Sequence, residues 1–146
     1  MKEMIQARKQ QMHKRGKKGF TLMEMLIVVA IIAILIAIAI PVFMAQLENA
    51  RDATSVANLR SAYAEASAAE LTGTNGGNSS ITVNGNVVTV SNVKLESSDD
   101  NLGSQANELP FTITKATNSD FKAGNKTCTF TFNTNGTVAC EVANRS

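Results

Sequence analysis

From Met25 to Ile40 the chain runs through sixteen apolar residues without a break, and Pro41, Val42, Phe43, Met44 and Ala45 extend the run to twenty-one. At about 1.5 Å per residue a helix of that length spans roughly 30 Å, one bilayer core. A core helix of a soluble domain could show the same run. No later segment, however, has enough apolar surface to wrap it on all sides, so the pattern predicts insertion into a membrane. Past Pro41 the apolar spacing becomes three and four. Leu47, Ala50, Ala53/Thr54, Ala57, Ser61, Ala64, Ala68 and Leu71 form a narrow stripe of small side chains that a sheet could approach closely. This Ala-rich stretch predicts helix from Gln46 to about Leu71, stopped by Gly73 and the polar run to Ser80. Joined to residues 20–45 it makes one helix of about fifty residues, roughly 75 Å.

The period then changes to two. Ile81–Val90 is a hairpin signal with Asn84-Gly85 as a type I′ turn, and pairing Val83 with Asn86 puts Ile81, Val83, Val88 and Val90 on one face. Val93 and Leu95 are candidates to extend its second strand, and residues 96–108 read as a polar loop. Leu109, Phe111 and Ile113 alternate with polar neighbours and predict a third strand, with Pro110 at its start. Cys128, Phe130 and Phe132, a turn over Asn133–Gly136, then Val138, Cys140 and Val142 predict a final hairpin. The expected architecture is α+β, with a small antiparallel sheet packed on the helix.

Charge is segregated. Residues 1–19 carry seven basic residues and one acid, net +6, whereas residues 20–146 carry net −4; the overall +2 hides the split. Reading the basic balance as nucleic-acid binding would rest on that first segment alone. Lys14, Arg15, Lys17 and Lys18 precede the apolar run, while Glu48, Arg51 and Asp52 follow it, which leaves the N-terminus in the cytoplasm and exports the rest. The run passes into Pro41-Val42-Phe43 without a small-residue cleavage site, so the apolar segment is expected to be retained. The single histidine, His13, offers no basis for a His-centred catalytic or metal site.

Glu24 interrupts the apolar segment. A mid-helix acid costs roughly 2.5–3.5 kcal/mol on insertion scales, and less near an interface. It either sits at the headgroups without consequence or awaits a cationic partner in an assembly. Here the residues carry a resemblance. Lys17-Lys18-Gly19-Phe20-Thr21-Leu22-Met23-Glu24, the apolar run and Pro41 resemble the class III signal of type IV pilins and pseudopilins over about residues 17–50. The resemblance implies a leader, 1–19, removed by prepilin peptidase between Gly19 and Phe20, and N-methylation of the new Phe20 amine. It also implies that Glu24 of one subunit neutralises the Phe20 amine of its neighbour. Residues 20–45 would then form the membrane and filament-core helix, 46–72 the helix of the head, and 73–146 the sheet of the head. A leader of nineteen residues is long for the subclass that begins with methyl-Phe; Met4 or Met12 as the start would shorten it. Pilins often loosen the helix between a Gly and the Pro. Ala33 stands at that Gly position, while Pro41 still removes one helical hydrogen bond and is expected to kink the helix.

Partners implied are further copies of the chain, the peptidase and methyltransferase, and an assembly platform with its ATPase. The implied place is the membrane before assembly and the cell surface after. The implied role is a major pilin serving adhesion, motility or DNA uptake, with no catalysis, cofactor or metal of its own. A pseudopilin of a secretion or competence machine is the alternative, and a single-pass anchored protein that never polymerises is a second. The two cysteines lie near-opposite across the last hairpin on the oxidising side, which predicts a Cys128–Cys140 disulfide; two free core thiols are the alternative. Asp99, Asp100, Asn101 and Asp120 could supply calcium ligands, but their spacing matches no ligand loop. The four N-x-S/T triplets in this Asn- and Thr-rich chain read as chance. Glu48 and Arg51 read as a solvated i,i+3 pair, with inter-subunit contact as the alternative.

Overall fold

A computed structural model of the chain describes residues 2–6 and 19–145. The leader's remaining basic residues, His13 and the alternative start at Met12 lie outside the described residues. The chain divides into two units, 1–42 and 43–146. Helix α1, Leu22–Thr72, is assigned without interruption through Pro41. Proline brings no N–H, so the carbonyl of Ala37 loses its helical partner there.

In the second unit, α1 carries Asp52, Ser55, Val56, Leu59, Ala62, Ala66 and Ala69 buried. This is not the stripe expected from the sequence. Ala50, Ala53, Thr54, Ala57, Ser61, Ala64 and Ala68 are exposed, and Leu71 is 83% exposed. Alanine occurs on every face of this helix and so does not mark one. Val56 and Leu59 gain more by burial and fix the rotation. Gly73 ends the helix in the left-handed region, φ 67°.

Five strands follow: β1 Ile81–Asn84, β2 Val87–Leu95, β3 Thr112–Lys115, β4 Gly124–Phe132 and β5 Val138–Asn144. They form one sheet in the order β1-β2-β4-β5-β3. The first hairpin pairs Val83 with Val88 and Asn84 with Val87, so the loop is Gly85-Asn86 rather than Asn84-Gly85. The register differs from the expected one by two residues, which keeps every side chain on its predicted face. Val93 and Leu95 do extend β2. A bulge between Val90 and Val93, with Asn92 at φ 66°, switches the alternation so that Val88, Val90, Val93 and Leu95 are all buried. The third strand begins at Thr112, after Pro110, and Phe111 is buried beside it. It runs parallel to β5, Ile113 opposite Cys140, where an antiparallel partner was expected. The physical reason is its place at the sheet edge beyond β5, with which it is not joined by a hairpin.

Leu59, Val88, Leu95, Cys128, Phe130, Cys140 and Val142 are fully buried. Phe130 meets Phe111 edge-on at 5.3 Å between centroids, and Tyr63 covers Phe111 at 5.2 Å. The polar loop is better ordered by contacts than its composition suggests. It contains a 3-10 turn, Gly103–Glu108, and buries Ser97 and Leu102. Glu48 accepts from Ser97 Oγ at 3.1 Å and from Ser98 N at 2.8 Å, and it also bonds Ser98 Oγ. Ser55 Oγ accepts from Glu96 N at 2.8 Å. Glu48 is therefore a tie within the head and not a merely solvated charge. Asp52 is buried with its Oδ2 beside Gly103, while its Oδ1 has no hydrogen-bond partner among the described residues, and nothing in the structure explains it.

The expected disulfide is absent. Cys128 and Cys140 are free, buried thiols and do not lie at disulfide distance. The register is the reason: Cys128 faces Val142 and Cys140 faces Phe130, so the cysteines are diagonal neighbours and not opposite. Interaction with the Cys128 side chain, and then burial, push the Cys140 thiol far up.

Candidate functional site

The candidate site is the start of α1, within the first unit. Gly19, Phe20 and Thr21 precede the helix, and Phe20 is 81% exposed. The helix begins with a reciprocal capping box. Thr21 Oγ1 accepts from the backbone N–H of Glu24 at 3.2 Å, and Glu24 Oε2 accepts from the backbone N–H of Thr21 at 2.8 Å. Two of the orphan donors at a helix start are thereby satisfied, and the carboxylate stands at the positive end of the helix dipole. The reading of Glu24 from sequence missed this local partner. Thr-x-x-Glu ahead of an apolar run is the signal that could have revealed it.

This arrangement places an acid one residue away from Phe20. If the chain were cut before Phe20, the new amine would sit next to the amide that Glu24 already holds. A carboxylate so placed can accept a cation's hydrogen bonds with its second oxygen while it keeps the helix capped.

Beyond the box every described residue from Leu22 to Ala45 is exposed, including Ile31, Ile34, Leu35, Ile38 and Phe43. The helix is long and apolar enough to cross a membrane. An apolar surface this continuous is far larger than water tolerates on a soluble monomer, so it requires lipid or other apolar helices around it.

The prokaryotic N-terminal methylation motif matches residues 14–40. The chain thus carries that motif at the start of its long apolar helix. The type IV wide pilus major component PilA4 of Thermus thermophilus is 52% identical to it over 48 residues. That match covers 33% of this chain and 37% of the relative, so the chain spans little more than a third of the relative's length. No solved structure matches. The fold agrees with the pilin-type segment: a long N-terminal apolar helix, and a mostly antiparallel five-stranded sheet packed on the part of that helix within the second unit.

The calcium alternative finds no support in the geometry of the head. Asp100 accepts from Lys115 Nζ at 2.6 Å and from Phe121 N at 2.9 Å, and Lys115 holds its carboxyl below the usual range. Asp120 accepts from Lys126 Nζ at 2.5 Å, which lowers its carboxyl likewise. Asn101 Oδ1 is taken by Gly103 N. Lysine ammonium groups already pair with Asp100 and Asp120. No cluster of three or more His, Cys, Asp or Glu able to hold a metal occurs among the described residues.

Proposed function

We propose that this protein is the structural subunit of a type IV pilus. Prepilin peptidase cuts between Gly19 and Phe20 on the cytoplasmic side, and the Phe20 amine is methylated. The chain waits in the membrane as a single span with its leader in the cytoplasm and its head exported. Residues 20–45 then leave the lipid and stack against the same segment of further copies, driven through an assembly platform and its ATPase. Glu24 pairs with the Phe20 amine of a neighbour and sets the register of the stack. Breaking such a buried pair by removing one partner costs about 3–5 kcal/mol. Pro41 supplies the point at which the helix bends or loosens. The finished surface filament serves adhesion, motility or DNA uptake.

One observation carries this reading: an acid held at the first turn of a helix whose next twenty-odd residues expose an apolar surface on all sides. A lone membrane anchor needs the apolar run but not the acid. The test is intact-mass spectrometry on material sheared from the surface of cells producing the chain, wild type beside Glu24→Gln. The expected wild-type mass begins at Phe20 with one added methyl group and is recovered in the sheared filaments. The Glu24→Gln chain should be cut but lost from that fraction. Uncut chain confined to membranes, or a Glu24→Gln chain that shears off normally, would overturn the reading. Cut and methylated chain that never reaches the sheared fraction would instead indicate a subunit of a secretion or competence machine.

A further inference from the structure

Lysine is seldom fully buried, yet Lys126 of β4 is 5% exposed. Its side chain lies on the same face as Cys128 and Phe130. Directly opposite it in β5 is Asn144, and on its other side β2 presents buried Val93. Lys126 Nζ donates to Asp120 Oδ1 at 2.5 Å and to Asn144 Oδ1. Asn144 is itself fixed: its backbone N–H donates to Ser119 Oγ at 3.0 Å and its Nδ2 to the Asn118 carbonyl at 3.4 Å. Asp120 Oδ1 is steadied by the Lys122 N–H at 3.1 Å. An amine, a primary amide and a carboxylate are thus held in contact around a buried ammonium, with Asn144 exposed and the Asp120 side chain 36% exposed at its outer side.

An ion pair needs two members, and this cluster has three. The third is an electrophile whose carbonyl carbon is bonded to the oxygen that Nζ touches. Amides resist amines in water, but fixing the reactants in contact removes much of the entropic barrier. We infer that Lys126 and Asn144 join in an intramolecular amide bond that staples β4 to β5, with Asp120 as the proton acceptor.

The step balances without an outside reagent. Asp120, whose carboxyl the Lys126 ammonium holds below its usual range, takes one proton from that ammonium against this bias, which makes the step slow and leaves a neutral amine. The Nζ lone pair attacks Cγ of Asn144 and forms the new C–N bond. Nζ gives up a second proton, the departing Nδ2 gains protons through Asp120, and the Cγ–Nδ2 bond breaks. In sum, an alkylammonium and a primary amide become a secondary amide and an ammonium ion, and Asp120 ends as the carboxylate it began as. The cluster lies wholly within residues 118–144, so the bond does not depend on the filament role proposed above.

The test is mass spectrometry on the folded, purified full chain. The bonded protein weighs one ammonia less than its sequence requires. Succinimide formation at Asn75-Gly76, Asn84-Gly85 or Asn135-Gly136 would give the same loss, so the position must be read from a tryptic digest. Trypsin cuts the free chain after Lys126 and yields peptides 123–126 and 127–145. In the bonded chain Lys126 is acylated, so residues 123–145 stay together as one species lacking one ammonia. Asp120→Ala, which leaves both bonding partners in place, should restore the full mass and the cut after Lys126. Full mass and complete cleavage after Lys126 in the folded wild-type protein would overturn the inference, whatever the variants do.

Discussion

Glu24 and Glu48 sit on one helix, and their surroundings are opposite in kind. Among the described residues Glu24 bonds only Thr21, at the start of its own helix, where every side chain is exposed. Glu48 bonds Ser97 and Ser98, some fifty positions later in the chain, and helps close a head with its own core. The first region is unfinished as it stands: its apolar surface needs lipid or other helices. The second region is complete. The difference teaches that the same secondary structure serves two ends: in residues 22–45 it leaves an apolar surface uncovered, and in the second unit it builds a core with the sheet.

The largest expected effect comes from exchanging one apolar side chain in each region for alanine. Phe130 is fully buried against Phe111 and Tyr63, and Phe130→Ala should destabilise the head by about 3–5 kcal/mol. Ile36 is exposed, and Ile36→Ala should leave the unfolding of the head unchanged within about 0.5 kcal/mol. Urea unfolding in detergent, followed through Tyr63, measures both. Equal losses from the two variants would break the distinction between the regions.

The two regions also differed in how well sequence revealed them. The apolar run, the acid and the basic segment before it needed only local counting. The same holds for the alternating strands 81–90, 128–132 and 138–142, whose inward faces were legible. What escaped depended on choices that several patterns allow equally. Alanines on all faces of residues 50–69 hid which side is buried, and only Val56 and Leu59 decide it. A hairpin with Asn84, Gly85 and Asn86 at its tip can turn at either pair, so its register was off by two. The disulfide failed for a related reason: alternation puts Cys128 and Cys140 on one face, but only the turn fixes whether they are opposite or diagonal. The Lys126 cluster was invisible because Asp120, Lys126 and Asn144 come from three segments.

A smaller effect tests a feature of the head that no alternation predicts. The bulge in β2 depends on Asn92 at φ 66°, where a β-branched residue is strained. Asn92 also donates to Ser80 Oγ at 3.3 Å and accepts from Arg145. Comparing Asn92→Gly with Asn92→Val removes these side-chain bonds in both and leaves the backbone as the difference. Valine should be less stable than glycine by about 1–2 kcal/mol in urea unfolding. Equal stabilities would mean the strand can slip its register without cost, and Val93 and Leu95 would lose their fixed place in the core.

A last effect, read from pH dependence, sharpens the comparison between the two acids. Hydrogen bonds from Ser98, side chain first and then backbone, hold the Glu48 carboxyl down at about 2, against an ordinary 4.5. A folded-state value below the unfolded one means that the charged form stabilises the head above pH 4.5. That contribution is lost as pH falls from there through about 2. Glu48→Gln cannot titrate, so its stability should fall less steeply across that acid window than that of the wild type. The two curves should converge at the acid end, because protonated Glu48 and glutamine are alike in being uncharged. The measurement is the urea midpoint of each chain at a series of pH values from 6 to 2. High salt should change the result little, because short hydrogen bonds within the chain and not distant charges set the shift. Parallel curves would mean that Glu48 is no better held in the folded head than in the unfolded chain. It would then share with Glu24 the lack of any partner beyond its own helix, and the contrast between the two regions would rest on burial alone.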